Sequence, residues 1–142
     1  HCRGAVFGDV LSNLLKFNGN KVTKEFYIND YGSQVQNFTK SIFLRLREIK
    51  YKESFPENKE NLYVGDYIKD IAKKILKNNK NINLDSFEKN YKILKKESLK
   101  YSLDSIKSDL KSLGVKHDYF FSETKLVENN LVSKSINKLK KK

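Results

Sequence analysis

The 142-residue sequence contains no methionine and no tryptophan, and it has a single cysteine, a single proline and two histidines. One cysteine excludes an internal disulfide and favours a reducing, cytoplasmic compartment. So few cysteine and histidine residues also argue against a zinc cluster, and we expect no metal site built by this chain. No apolar run approaches the roughly 20 residues that span a bilayer, and no signal peptide is present, so no membrane association is expected.

Positive charge, in contrast, is abundant. The chain has 29 lysine and arginine residues against 17 aspartate and glutamate residues, a formal net charge of +12. Such a field favours polyanions such as nucleic acid or an acidic membrane surface. Lysine and asparagine also have A-rich codons, so an AT-rich genome would give the same bias without a functional cause. Net charge therefore does not locate a site.

Hydrophobic periodicity predicts helix, strand, turn and helix in the first third of the chain. Residues 3–17 repeat apolar side chains every four positions, and Gly19 is placed to end that helix. Residues 21–28 favour a strand, and the run Asn29–Gly32 is a turn signal. The following helix has an apolar stripe, Val35, Phe38, Ile42, Leu46 and Ile49, and an opposite face with Lys40, Arg45, Arg47 and Lys50.

The remainder is predicted to be mainly helical. A polar loop over residues 52–61 precedes a short helix at 66–76 with Asp66 as its cap, and a long helix at 86–113 ends at Gly114. A short strand is predicted at 117–121. The last helix is predicted at 127–140, with an inward face of Leu131, Val132, Ile136 and Leu139.

This order is typical of the α-β-α half of a Rossmann-like unit. The wide apolar face of the first helix predicts packing on a sheet, whose first strand we expect to lie before His1. The sequence thus predicts an α/β fold, a partial Rossmann-like nucleotide-binding domain with a helix-rich insertion. Residues 1–52 would form the N-terminal part of the core, 53–95 the helical insertion, and 96–142 its helix-strand-helix continuation.

The opening residues, from His1 to Asp9, form the most informative motif. A helix N-terminus has unpaired N–H groups and a positive dipole end, so it attracts phosphate, and His1 could donate to phosphate oxygens there. Gly4 and Gly8 lie on one helix face and would let a ligand or another backbone approach closely. From these principles alone, a histidine without a function is the alternative.

Four stretches, in order along the chain, resemble arginyl-tRNA synthetases, which are class I aminoacyl-tRNA synthetases. HCRGAVFGDVLSNLL is similar to the continuation of the His-x-Gly-His signature, and His1 matches its second histidine. EFYINDYGSQV is similar to the next strand and turn of bacterial members, with an Asn-Asp-x-Gly-x-Gln pattern. LYVGDYIKDIAKKI and DSIKSDLKSLGVKHDYFFSETKLVENN are similar to later catalytic-domain segments. Residues 77–96 carry little recognisable signal.

The resemblance implies ATP-dependent activation of arginine to arginyl-adenylate and transfer to tRNA(Arg) in the cytoplasm, with Mg²⁺ accompanying ATP. By residue matching, His1 would bind the ATP phosphates and stabilise charge when the α-phosphate is attacked. Gly4 would leave room for the nucleotide, and Asn29, Asp30 and Gln34 would lie near the active site. A monomer is expected.

The sequence also departs from the family pattern. The first histidine of the signature, the Lys-Met-Ser-Lys-Ser signature and the anticodon-binding helical domain are absent, so we expect a fragment of a longer protein that is inactive alone. The alternative hypothesis is a non-catalytic basic RNA-binding α/β module. A P-loop is not expected, because no Gly-x-x-x-x-Gly-Lys-Ser/Thr run is present.

Five residues have rival interpretations. Cys2 could be a reactive thiol at a helix N-terminus, but a small core side chain is the expected role. His117 and Asp118 could suggest acid–base chemistry, but neighbours on a strand point to opposite faces, so structural roles are expected. Asp9 with Asp30 could be a pair of carboxylates, and their spacing does not decide the matter.

Overall fold

The computed structural model describes residues 2–141, which form two compact units. The first unit runs to Tyr31 and resumes at Ile106, and the second is Gly32–Ser105. The elements in chain order are α1 (Cys2–Phe17), β1 (Glu25–Ile28), α2 (Ser33–Tyr51), α3 (Asp66–Asn78), α4 (Phe87–Ser112), β2 (Tyr119–Ser122), α5 (Glu123–Glu128) and α6 (Leu131–Leu139).

The second unit contains a hydrophobic core between α2 and α3. Ile42 and Leu46 of α2 are fully buried, as the apolar stripe of this helix predicts. They belong to one cluster with four residues of α3 and with Leu84 and Leu94; the α3 residues are Ile68, Ile71, Ala72 and Ile75. Burying one large aliphatic side chain contributes about 1.5–3 kcal/mol, so this cluster is the main source of stability of the unit.

The charged face of α2, opposite the apolar stripe, is not wholly exposed. Arg45 is buried, its Nη1 donates to Glu48 Oε2 at 2.7 Å, and its guanidinium lies 3.7 Å from the centre of the Phe55 ring. Arg47 hydrogen-bonds the Leu84 carbonyl and the Glu53 carboxylate. A planar guanidinium can stack and donate at once, so these cations hold loops against the helix.

The first unit is built on a parallel pair of strands. Glu25 pairs with Tyr119 and Ile28 pairs with Ser122, and this two-stranded sheet is the only one within residues 2–141. Gly19 ends α1 as predicted, with φ of +82°, because only glycine adopts this conformation without strain. Asn20 N donates to the Leu15 carbonyl and Gly19 N to the Lys16 carbonyl, which satisfies the last carbonyls of the helix.

The apolar face of α1 is exposed within residues 2–141, and the packing on a sheet predicted for it stays a prediction. No α1 residue is buried, and Phe7 and Leu14 are 70% and 62% exposed. The partly buried residues are instead the small or polar Ala5, Asp9 and Ser12. Polar contacts explain this orientation, because Lys24 before β1 hydrogen-bonds Asp9 and Asn13 of α1.

The single last helix predicted from the sequence is divided in two. Asn130 adopts φ of +54° between α5 and α6, a left-handed conformation that asparagine tolerates better than most residues. The apolar residues of α6 were predicted to face inward but are 40–71% exposed, namely Leu131, Val132, Ile136 and Leu139. The cap of α3 also differs, because Gly65 occupies that position and Asp66 is the first helical residue.

The structure is therefore a helix-dominated α/β protein with a small parallel sheet, as the sequence predicts at this level. Among the described helices, none is both long and apolar enough to cross a bilayer. The compact units divide the chain at residues 31 and 105, whereas the predicted boundaries at residues 52 and 95 stay a prediction.

Candidate functional site

The residues predicted for the site lie in different parts of the chain. Gly4 is in the first turn of α1, and Asn29 and Asp30 directly follow β1. Gln34 is in the first turn of α2, in the second unit. His1 lies outside the described residues. The structure thus brings Asn29 and Asp30 to one edge of the sheet, and their role in a site stays a prediction.

That edge is formed by the carboxyl ends of both strands. Because β1 and β2 are parallel and Ile28 pairs with Ser122, the segments after the two strands leave the sheet side by side. Asn29 and Asp30 follow one strand, and α5 begins at Glu123 directly after the other. In open α/β sheets, ligands bind outside the carboxyl ends of the strands, so this edge is the candidate functional site.

Asp30 connects the two segments at this edge through three hydrogen bonds. Ser122 Oγ donates to Asp30 Oδ2 at 2.6 Å, and Thr124 N donates to Asp30 Oδ1 at 2.8 Å. Thr124 Oγ1 also donates to the Asp30 carbonyl oxygen at 3.1 Å. Partial burial alone would raise the pKa of Asp30, but these hydrogen bonds outweigh burial and hold the pKa below its ordinary value. Asp30 is therefore ionised near neutral pH.

Two further side chains add polar groups to the same edge. Ser122 caps α5, because its Oγ accepts a hydrogen bond from Lys125 N at 3.4 Å. Partial desolvation, followed by the nearby Glu123 carboxylate, raises the pKa of Tyr27 above its ordinary value. The edge thus gathers the Asp30 carboxylate, two hydroxyl groups that donate to Asp30, and the Tyr27 phenol.

A cavity of about 310 Å³ lies along the glycine face of α1. Gly4 and Gly8 line it, and a Cβ atom added to either would meet nothing within 4 Å. Its charged lining includes Lys24, whose Nζ lies 2.7 Å from Asp9 Oδ1 and 2.9 Å from Asn13 Oδ1. The hydrogen bond from Lys24 holds the pKa of Asp9 below its ordinary value. The cavity is therefore polar and open beside Gly4.

His117 and Asp118 make contacts that fit the structural roles expected for them. The His117 ring contacts Phe26 and Phe120 with centroid distances of 5.4 and 5.8 Å. Asp118 Oδ2 accepts from Lys24 N at 2.8 Å, and this hydrogen bond lowers the pKa of Asp118. Both side chains thus help to hold the start of β1 beside the start of β2.

Two other sequence interpretations are settled by position. Asp9 of α1 is paired with Lys24, whereas Asp30 accepts hydrogen bonds from Ser122 and Thr124 at the carboxyl edge of the sheet. Each carboxylate therefore has its own partners. The expectation that Cys2 fills the core is wrong, because this thiol is exposed. The reason is the orientation of α1, whose apolar and N-terminal residues face solvent. Within residues 2–141, no cluster of histidine, cysteine and acidic side chains could hold a metal ion.

Sequence reasoning missed Ser122 and Thr124. Ser122 before the acidic Glu123 is a recognisable helix-start signal, which could have indicated the cap of α5. Their bonds to Asp30 join residues more than 90 positions apart, and only the pairing of the strands brings them together. No periodicity within either segment encodes that contact.

Comparison with known proteins identifies what this segment resembles. The chain is 54% identical over all of its 142 residues to an arginine–tRNA ligase of Pelagibacter ubique, of which it covers 25%. Over 96% of its length it is 43% identical to an arginine–tRNA ligase of Rickettsia bellii, of which it covers 23%. The chain is homologous to arginine–tRNA ligases. The resemblance stated from the sequence motifs is therefore confirmed, and the chain spans about a quarter of the length of these relatives.

A solved structure gives the same result. The crystal structure of an arginyl-tRNA synthetase from Campylobacter jejuni matches 97% of the chain with a TM-score of 0.81 and 32% identity, and the chain covers 30% of that protein. No protein-family model matches the chain. The similarity to arginine–tRNA ligases thus holds in both sequence and fold, over a segment of the enzyme.

Proposed function

We propose that this chain is a segment of an arginine–tRNA ligase that forms part of its arginine-activation site and is inactive alone. The single observation that carries the proposal is the 54% identity to an arginine–tRNA ligase over the whole chain. A segment of about a quarter of such an enzyme leaves most of the substrate contacts to the remainder. The reaction is ATP-dependent formation of arginyl-adenylate, followed by transfer of arginine to tRNA(Arg).

We also propose that the first unit belongs to a Rossmann-like nucleotide-binding domain. The support is the parallel pairing of β1 with β2 through a long, mainly helical crossover, which is the connection that parallel strands require. A carboxyl edge that carries polar residues agrees with this assignment. Residues 1–52 and 96–142 are proposed as catalytic core and 53–95 as an insertion.

The proposed residue roles follow the family resemblance. His1 binds ATP phosphates through its imidazole and stabilises the negative charge that develops in the transition state. Gly4 lines an open cavity where a side chain would restrict the nucleotide. Asn29, Asp30 and Gln34 are proposed to lie near the active site. Mg²⁺ is proposed to arrive with the ATP phosphates. A cytoplasmic monomer is proposed.

The direct test is arginine-dependent exchange of pyrophosphate into ATP by the full-length protein, measured with tRNA(Arg) present and with each amino acid in turn. We expect exchange with arginine alone, and no exchange by the isolated 142-residue chain. If the full-length protein binds RNA but shows no exchange, the alternative of a basic RNA-binding module would be favoured. The net charge of +12 is the observation that supports this alternative.

The variant His1→Ala in the full-length protein tests the proposed role of the imidazole. We expect exchange to slow by about a hundredfold, the usual effect of removing one donor to a developing charge. The dissociation constant for arginine, measured by calorimetry, should change much less, because the proposed contact is to phosphate. An unchanged exchange rate would contradict the role of His1.

A further inference from the structure

We infer that Asp30, Ser122 and Thr124 form a latch between the carboxyl ends of the two parallel strands, and that they are positioning residues of the candidate site. Neither Ser122 nor Thr124 belongs to the set predicted from the motifs. The inference rests on the proposed function for its kinetic consequence, whereas the latch itself is a matter of structure.

Both oxygens of the Asp30 carboxylate accept hydrogen bonds from within the protein. Its two oxygens accept from different groups of the segment after β2, the Ser122 hydroxyl at 2.6 Å and the Thr124 amide at 2.8 Å. Charge-assisted hydrogen bonds are about twice as strong as neutral ones, so these contacts fix the carboxylate rather than leave it for a substrate. Asp30 therefore acts on the site through the backbone that it holds.

The latch includes main-chain atoms of Asp30 and Thr124 as well as side chains. Thr124 Oγ1 donates to the carbonyl oxygen of Asp30 at 3.1 Å, while its own amide donates to the Asp30 carboxylate. Thr124 thus donates to both the side chain and the main chain of Asp30. Ser122 Oγ also accepts a hydrogen bond from Lys125 N, so the same hydroxyl fixes the start of α5.

The latch lies at the carboxyl end of the two-stranded sheet. Each strand has only four residues, so few backbone hydrogen bonds hold the pair together. The latch adds side-chain bonds where the ladder ends at Ile28 and Ser122. Because Asn29 lies between Ile28 and Asp30, fixing Asp30 also restricts the backbone of Asn29. Positioning of this kind affects the rate, since small displacements of reacting groups slow catalysis strongly.

The test compares hydroxyl-removing and hydroxyl-retaining variants in the full-length protein. Ser122→Ala and Thr124→Val each remove one donor, whereas Ser122→Thr and Thr124→Ser keep it. Asp30→Asn leaves a single acceptor oxygen in place of two, and Asp30→Ala leaves none. Ser112→Ala is the matched control, because its hydroxyl donates to the Ser108 carbonyl at 3.0 Å in the last turn of α4.

Two measurements are made on each variant. The first is hydrogen exchange of the Thr124 amide, which we expect to quicken about tenfold in Asp30→Ala and to stay unchanged in Ser112→Ala. The second is arginine-dependent pyrophosphate exchange, normalised to folded protein. In Ser122→Ala, Thr124→Val and Asp30→Asn, we expect kcat to fall about tenfold, while the KM values for ATP and arginine stay within a factor of two or three of the wild type. In Ser122→Thr and Thr124→Ser, which keep the hydroxyl, we expect kcat to stay close to the wild-type value.

The outcomes separate the latch from the proposed function. An unaltered Thr124 exchange rate in Asp30→Ala would overturn the latch, whatever the activity. An active wild-type protein whose kcat is the same in Ser122→Ala, Thr124→Val and Asp30→Asn would overturn the positioning role. A wild-type protein without arginine-dependent exchange would refute the proposed function, while the hydrogen-exchange result would still decide whether the latch exists.

Discussion

The core of the second unit makes a quantitative prediction for Leu46→Ala. Leu46 is fully buried in the cluster that joins α2 to α3. The substitution removes three carbon atoms, which is a transfer free energy of about 2.4 kcal/mol at roughly 0.8 kcal/mol for each one. The cavity that remains adds to this value, so we expect the free energy of unfolding to fall by about 3 kcal/mol.

The assay is urea unfolding of the 142-residue chain followed by far-ultraviolet circular dichroism. With a urea dependence of about 1.5 kcal/mol per molar for a small unit, the midpoint should fall by roughly 2 M. Leu14→Ala is the matched control, because Leu14 is 62% exposed in α1 and its removal should change stability by less than about 0.5 kcal/mol. Equal shifts in the two variants would refute the description of the core.

Two further predictions concern the first unit. Gly19→Ala should destabilise this unit by about 1 kcal/mol, because the φ of Gly19 is +82°, whereas Gly8→Ala inside α1 should be neutral or stabilising. Thermal unfolding of the two variants distinguishes these effects, and equal changes in stability would contradict the assigned end of α1. The pKa of Asp30 lies below its ordinary value of 3.8, so its stabilising contribution should be complete at neutral pH and be lost as the pH falls through the lowered pKa. Urea unfolding as a function of pH should show this loss in the wild type and less of it in Asp30→Asn, and identical profiles would contradict the assigned hydrogen bonds.

The sequence predicts helices well where one apolar stripe is buried. The α2 stripe and the four buried residues of α3 follow directly from a period of 3.6, because each helix has one partner face in the core. The same reasoning does not fix the orientation of α1, whose apolar residues are exposed within residues 2–141. Periodicity identifies which residues share a face, but the orientation of α1 depends on Lys24 bonding Asp9 and Asn13, and the sequence pattern does not contain this contact.

The candidate site was predictable only in part. Asn29 and Asp30 follow a recognisable strand, and the family motif marks them. The bonding of Asp30 to Ser122 and Thr124 was not predictable, because it requires the parallel register of two strands that are far apart in the chain. The division of the last helix at Asn130 was missed for a simpler reason, since asparagine tolerates both helical and left-handed conformations.

The central claim is that the opening histidine and the carboxyl ends of β1 and β2 belong to one arginine-activation site. A crystal structure of the full-length protein with a non-hydrolysable arginyl-adenylate analogue tests it most directly. The account predicts the phosphate of the analogue at a hydrogen-bond distance of about 3 Å from the His1 imidazole, beside the segment that follows Ile28. An analogue bound away from both His1 and that segment would contradict it.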